Sequence, residues 1–183
     1  MLDKLLQFAD ARAALAALIF FVSTTLVFGI VDTKPKVMCE LGCKYIPIGM
    51  TPQWRRDEIG NMLLNDYKQP QVEAERRSLL YDFGYLVIYG LMLTIVLAYV
   101  LRVIWPGGFR GDGVVALLPA FAAVFDAVEN TTLYVCLGQD RNTVDSLLPF
   151  SRAATLVKLT LLGAAFLLFF FGALKLAAAC LRR

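Results

Sequence analysis

Residues 117–137 read LLPAFAAVFDAVENTTLYVCL, an apolar run of bilayer length with Asp126, Glu129 and Asn130 at its centre. A carboxylate in the middle of a membrane helix costs at least ~2.5–3.5 kcal/mol on insertion scales. Spacing of i, i+3 and i+4 sends all three side chains out of one helix face. Those side chains need polar partners on neighbouring helices, so the run belongs to a bundle rather than to a lone anchor.

The rest of the chain fits that reading. Of its 183 residues, 58% are hydrophobic, above the roughly 45–50% of soluble domains. Four stretches approach the ~20 residues that a spanning helix needs: about 13–31, 79–105, 114–137 and 153–181. The expected fold is all-α: a polytopic membrane protein, one four-transmembrane-helix bundle over residues 1–183, with a polar, partly helical first loop at 33–78. Residues 1–12 read as an amphipathic lead-in to the first span. Asp3 and Asp10 occupy the place of a basic n-region, and no small-residue cleavage site follows, so the first span is expected to be retained.

Within the first loop, Thr51-Pro52 supplies an N-cap and a proline at the first helical position. Gln69-Pro70 restarts a helix that is expected to run through Val72–Arg77 into the second span. Trp105-Pro106-Gly107-Gly108 stops that span. Pro119 is expected to kink the third, and residues 138–150 to form the last loop. Gly163, Gly172 and the Ala run 177–179 mark close helix contacts or a dimer face, and the run Phe169-Phe170-Phe171 faces lipid.

Charge narrows function more than it defines it. The net charge is +3 with no basic stripe, so nucleic acid is not an expected partner. There is no His, which removes the commonest catalytic base and transition-metal ligand. The spacing of Cys39, Cys43, Cys136 and Cys180 matches no zinc site. No metal or cofactor is expected. Seven Lys/Arg flank the spans on the side of the termini and ten on the side of the long loop, the latter over about twice the length. Weighted toward short loops, this places both termini in the cytoplasm of a cell inner membrane.

Asp82 opens the second span, with Tyr85 and Tyr89 at i+3 and i+7. Lys158 and Thr155 stand at matching depth in the fourth. In an up-down bundle, Asp82, Tyr85, Tyr89, Asp126, Glu129, Asn130 and Lys158 gather toward the long-loop side. Three chemistries suit such a cluster: a network fixing helix register, a proton or cation site, and a lipid-headgroup site. A structural or binding subunit is the leading expectation. A transporter or channel component is the alternative, and with four spans it would require a homo-oligomer. A lipid-active enzyme with Asp126 or Glu129 as base is the third, weakened by the absence of His. The bilayer is the expected partner, with a second copy or another membrane subunit as the open protein partner. If the loop side is oxidising, Cys136 has Cys39 or Cys43 as a bridging candidate.

Several of these residues also resemble a known pattern. Thr51-Pro52, Tyr81-Asp82-Phe83 through Tyr89, Leu118-Pro119, Asp126-x-x-Glu129-Asn130 and Lys158 resemble a loose group of uncharacterised bacterial four-span membrane proteins. The resemblance covers about residues 51–162, and the Asp-x-x-Glu-Asn of the third span is its most specific part. The group usually carries Gly-Arg before the second span, where Arg76-Arg77 stand here. It implies an architecture and a site but no activity.

Overall fold

The structure, a computed structural model, describes residues 10–31, 69–108 and 111–181. The Thr51-Pro52 helix, Cys39, Cys43 and residues 1–9 of the lead-in lie outside the described residues. Among those described, every regular element is an α-helix: α1 (Ala11–Val31), α2 (Gln69–Ile104), α3 (Asp112–Ala116), α4 (Leu118–Cys136) and α5 (Arg141–Leu181). Three of them, α1, α2 and α5, contain stretches long and apolar enough to cross a membrane. Helix α4 has 19 residues, about 28 Å at 1.5 Å each. It has the length, but Asp126, Glu129, Asn130, Thr131 and Thr132 dilute its apolar character.

Three boundaries differ from expectation, each for a local reason. Helix α1 begins at Ala11 because Asp10 caps it, its Oδ1 accepting from the Ala13 N–H at 2.8 Å. The stretch expected as one span from 114 is divided: α3 ends at Leu117, and Pro119 stands in the first turn of α4 rather than kinking its interior. The last loop is far shorter than 138–150. Gly138 turns the chain with φ 81°, and α5 already starts at Arg141. Asp140 caps it, Oδ1 accepting from Thr143 Oγ1 at 2.5 Å. Pro149 then sits inside α5; it forfeits one backbone bond in an exposed early turn, outside the apolar stretch.

Helix α2 is the hub, packing against α1, α4 and α5, while α4 lies along α5. Small residues let these helices close. A Cβ placed on Gly90 of α2 would lie 2.9 Å from the Ala123 Cβ of α4. One placed on Gly172 of α5 would lie 2.4 Å from Val100 Cγ1 of α2. Within the chain Gly163 has open space around it, and of the two glycines Gly172 is the one in close contact with another helix. Phe170 and Phe171 point outward, whereas Phe169 packs against Leu97, Leu101 and Ala165. Toward the connection between α4 and α5, Val72, Leu79, Leu133, Cys136, Val144 and Leu148 form a second apolar layer. The polar residues of α4 lie between the two layers.

The two glycines should therefore respond oppositely to alanine. Gly163→Ala should hold or raise stability by up to ~1 kcal/mol through helix propensity. Gly172→Ala should instead lose about 1–3 kcal/mol to overpacking against Val100. Thermal unfolding in one detergent compares them, and a Gly172→Ala midpoint at or above that of Gly163→Ala would refute the α2–α5 contact. The α5 cap carries a pH signature. Hydrogen bonds from Thr143 and the nearby backbone hold the Asp140 carboxyl below its ordinary range. A group depressed in the folded state stabilises above its unfolded pKa and stops doing so as pH falls through the folded one. Amide-exchange protection at Asn142 and Thr143 should accordingly fall in acid, and Asp140→Ala should make it low at every pH.

Candidate functional site

Helix α4 presents Asp126 and Glu129 one turn apart, and α5 brings Lys158 opposite both. Lys158 Nζ lies 2.9 Å from Asp126 Oδ1 and 2.5 Å from Glu129 Oε2. Only 3% of the Glu129 side chain is exposed, so the pairing occurs away from solvent. Thr155, one turn before Lys158, donates its hydroxyl to the Ser151 carbonyl at 2.9 Å.

Helix α2 closes the other side. Tyr89 donates its hydroxyl to Asp126 Oδ2 at 2.8 Å. Asp126 thus has both oxygens engaged, one by an ammonium and one by a phenol. Two turns along α2, Asp82 Oδ2 accepts from Asn130 Nδ2 at 2.7 Å. The pairs 89–126 and 82–130 are the register of two antiparallel helices, and Lys158 extends the network to a third.

Tyr85 takes a different partner. Its hydroxyl lies 2.9 Å from Thr25 Oγ1 on α1. Thr25 already donates to the Phe21 carbonyl at 2.8 Å, so Tyr85 is the donor to Thr25. Its ring stacks on Phe28 with centroids 5.2 Å apart and tilts against Tyr89 at 5.5 Å. Tyr85 therefore ties α1 to α2 at the edge of the cluster, without a bond to its carboxylates. Cys136 is a buried free thiol at the end of α4.

The reading of the sequence missed other buried or bonded polar side chains on the same helices and on α1. Glu75 is 2% exposed and Ser151 fully buried, Ser151 Oγ having no hydrogen-bond partner. Thr25 joins from α1. A signal for Glu75 was present: Glu75, Ser78, Asp82, Tyr85 and Tyr89 repeat with steps of 3, 4, 3 and 4, one continuous polar stripe along α2. Thr25 and Ser151 have no such signature, since lone hydroxyls commonly bond to their own helix.

The chemistry open to this arrangement is charge pairing and hydrogen bonding. Asp126 and Glu129 share one base, Asp82 accepts from Asn130, and the tyrosine hydroxyls are both engaged as donors. Among the described residues, no group of three or more His, Cys, Asp or Glu side chains is arranged to hold a metal ion. Comparison of the chain with protein-family models, curated proteins and solved structures finds no match.

Removing Lys158 leaves the buried Glu129 and the half-buried Asp126 without their shared base. Lys158→Ala should destabilise the protein in bilayers by roughly 3–5 kcal/mol. Tyr89→Phe should cost less, about 1.5–3 kcal/mol, the worth of a hydrogen bond to a charged group. Reversible unfolding of both variants in lipid bicelles measures the order; a Lys158→Ala variant as stable as wild type would mean that the ammonium reaches water.

Proposed function

We propose that this chain is a four-span protein of a bacterial inner membrane, with both termini cytoplasmic, acting as a non-catalytic structural or binding subunit. The observation that carries this reading is the single ammonium of Lys158 shared by Asp126 and Glu129. Ion pairs at this position hold helices in fixed register, and polar side chains act as glue between membrane helices. Both oxygens of Asp126 already accept from donors on neighbouring helices, Tyr89 and Lys158, as expected of a group that ties helices together.

The count of four rests on α4. Its polar trio turns toward α2 and α5, and its other face is apolar: Phe121, Val124, Val128 and Val135 are all exposed. A helix with that division can sit in lipid with its charges on the protein side. Four spans return the chain to the side on which it started. The outward faces of α1 and α5 leave room for a second copy or another membrane subunit.

The decisive experiment replaces the ion pair as a unit. Lys158→Met with Glu129→Gln should recover much of the stability lost in Lys158→Ala, because uncharged groups of similar shape carry no desolvation debt. Paired unfolding and complementation assays read the result. A stable double variant that keeps its cellular role supports a structural subunit. One that is stable yet loses that role, and with it proton- or cation-dependent flux in proteoliposomes, replaces this reading with an ion site.

A further inference from the structure

The seam between α2 and α4 is built differently at its two levels. Beside the ionic cluster, on the outer face of the protein, it forms an open groove of about 320 Å³. Phe83, Val87 and Leu91 of α2 form one wall, and Ala123, Val124 and Ala127 of α4 the other. Val87, Leu91 and Val124 are each more than half exposed. The floor is closed by the approach of Gly90 to Ala123.

The same seam continues into charge. Arg76, Leu80, Phe83 and Val87 follow one another at steps of 4, 3 and 4 along one face of α2. Ala123, Ala127, Thr131 and Tyr134 follow at steps of 4, 4 and 3 along one face of α4. The two rows still meet at their far end, where the Arg76 guanidinium sits 5.8 Å from the Tyr134 ring centroid. Arg76 Nη2 donates to the Leu137 carbonyl at 2.7 Å, and its Nε is buried without a hydrogen-bond partner. The carbonyl bond and the ring fix the plane of the guanidinium, and the exposed Arg77 stands next in the chain. Arg76 lies 28 residues before Ile104, the last residue of α2, or about 42 Å at 1.5 Å per residue. A bilayer with its headgroup layers is ~40–45 Å thick. With Trp105 at one interface, the arginines stand in the opposite headgroup layer.

We propose that this seam binds one anionic phospholipid, an acyl chain lying in the α2–α4 groove and the phosphate held by Arg76 and Arg77. Guanidinium is the side chain best suited to a phosphate diester at such a boundary. The groove suits a hydrocarbon chain better than a helix. A helix with its side chains is ~10–12 Å across, too wide to enter a cleft whose floor is two helices in contact. Apolar surface alone also gives no driving force for helix association in lipid. The arginines supply the selectivity that an apolar groove lacks.

Native mass spectrometry of the full-length protein in detergent tests the site, titrating dioleoyl phosphatidylglycerol against dioleoyl phosphatidylcholine. Wild type should retain one phosphatidylglycerol per chain, with an affinity at least about tenfold above that for phosphatidylcholine. Arg77→Gln, at an exposed position, should reduce that preference without unfolding the protein, and Arg76→Gln in addition should abolish it. Val124→Trp fills the groove from an exposed position and should weaken phosphatidylglycerol binding about tenfold with both arginines intact. Soluble glycerophosphate should not displace the lipid. Equal retention of the two lipids, or phosphatidylglycerol binding unchanged in both Arg77→Gln and Val124→Trp, overturns the proposal. So does glycerophosphate competing as well as lipid, which would make the site one for free phosphate. A dimer that excludes lipid and is lost in Val124→Trp would assign the groove to a second copy.

Discussion

An ammonium shared between two carboxylates is the constraint on which the arrangement of α2, α4 and α5 depends. Each charge alone would be untenable at that depth. Together they are tolerable only if the geometry is close and the remaining acceptors are occupied. That requirement acts on three helices at once. Lys158 must stand opposite the 126–129 turn of α4, so α5 cannot slide by a residue. Tyr89 must reach the second oxygen of Asp126, which sets α2 against α4. The apolar layers above and below then pack in a register that the charges have already chosen.

Close approach of the backbones makes this possible. Tyr89 reaches across to Asp126 beside the point where Gly90 meets Ala123. On the far side of the cluster, Gly172 brings α5 against Val100. Larger residues at either crossing would separate α2 from its partners and lengthen polar contacts that now measure 2.7–2.8 Å. Small residues and polar residues are thus complementary devices: the first sets the spacing and the second selects the register.

How far the sequence disclosed this depended on whether the signal was periodic. The Asp126–Glu129–Asn130 face followed from helical spacing alone, and the placement of Lys158 opposite it from counting residues to the span ends. The uninterrupted entry of Val72–Arg77 into α2 was also legible, since nothing there breaks a helix. The start of α5 was not. Ser, Asn, Asp and Pro between 139 and 149 have loop composition, yet the Asp140–Thr143 cap initiates a helix there, and one exposed proline does not end it. The division at Leu117 was hidden for the opposite reason, because an apolar run conceals a break between two helices. Tyr85 was placed on the correct face of α2, but Thr25 could not be foreseen as its acceptor, since a lone threonine in an apolar helix has no pattern.

The polar stripe of α2 is consistent with the structural role proposed for the cluster. From Glu75 to Tyr89 the stripe runs for about four turns, and its members meet separate partners: Asp82 takes Asn130, Tyr85 takes Thr25, and Tyr89 takes Asp126. An active site concentrates its groups on one reacting centre and leaves that centre open. Here the groups are spread along the helix, and each bond joins α2 to a neighbour. Distributed pairing of this kind adds little chemistry, but it penalises every alternative register, because a shift of one residue would strand several polar groups together. The outer surface of α4 completes the division, leaving Phe121, Val124, Val128 and Val135 exposed while Glu129 is buried. The same helix therefore turns an apolar face outward and its charged groups toward α2 and α5, the reverse of the division in a helix that faces water.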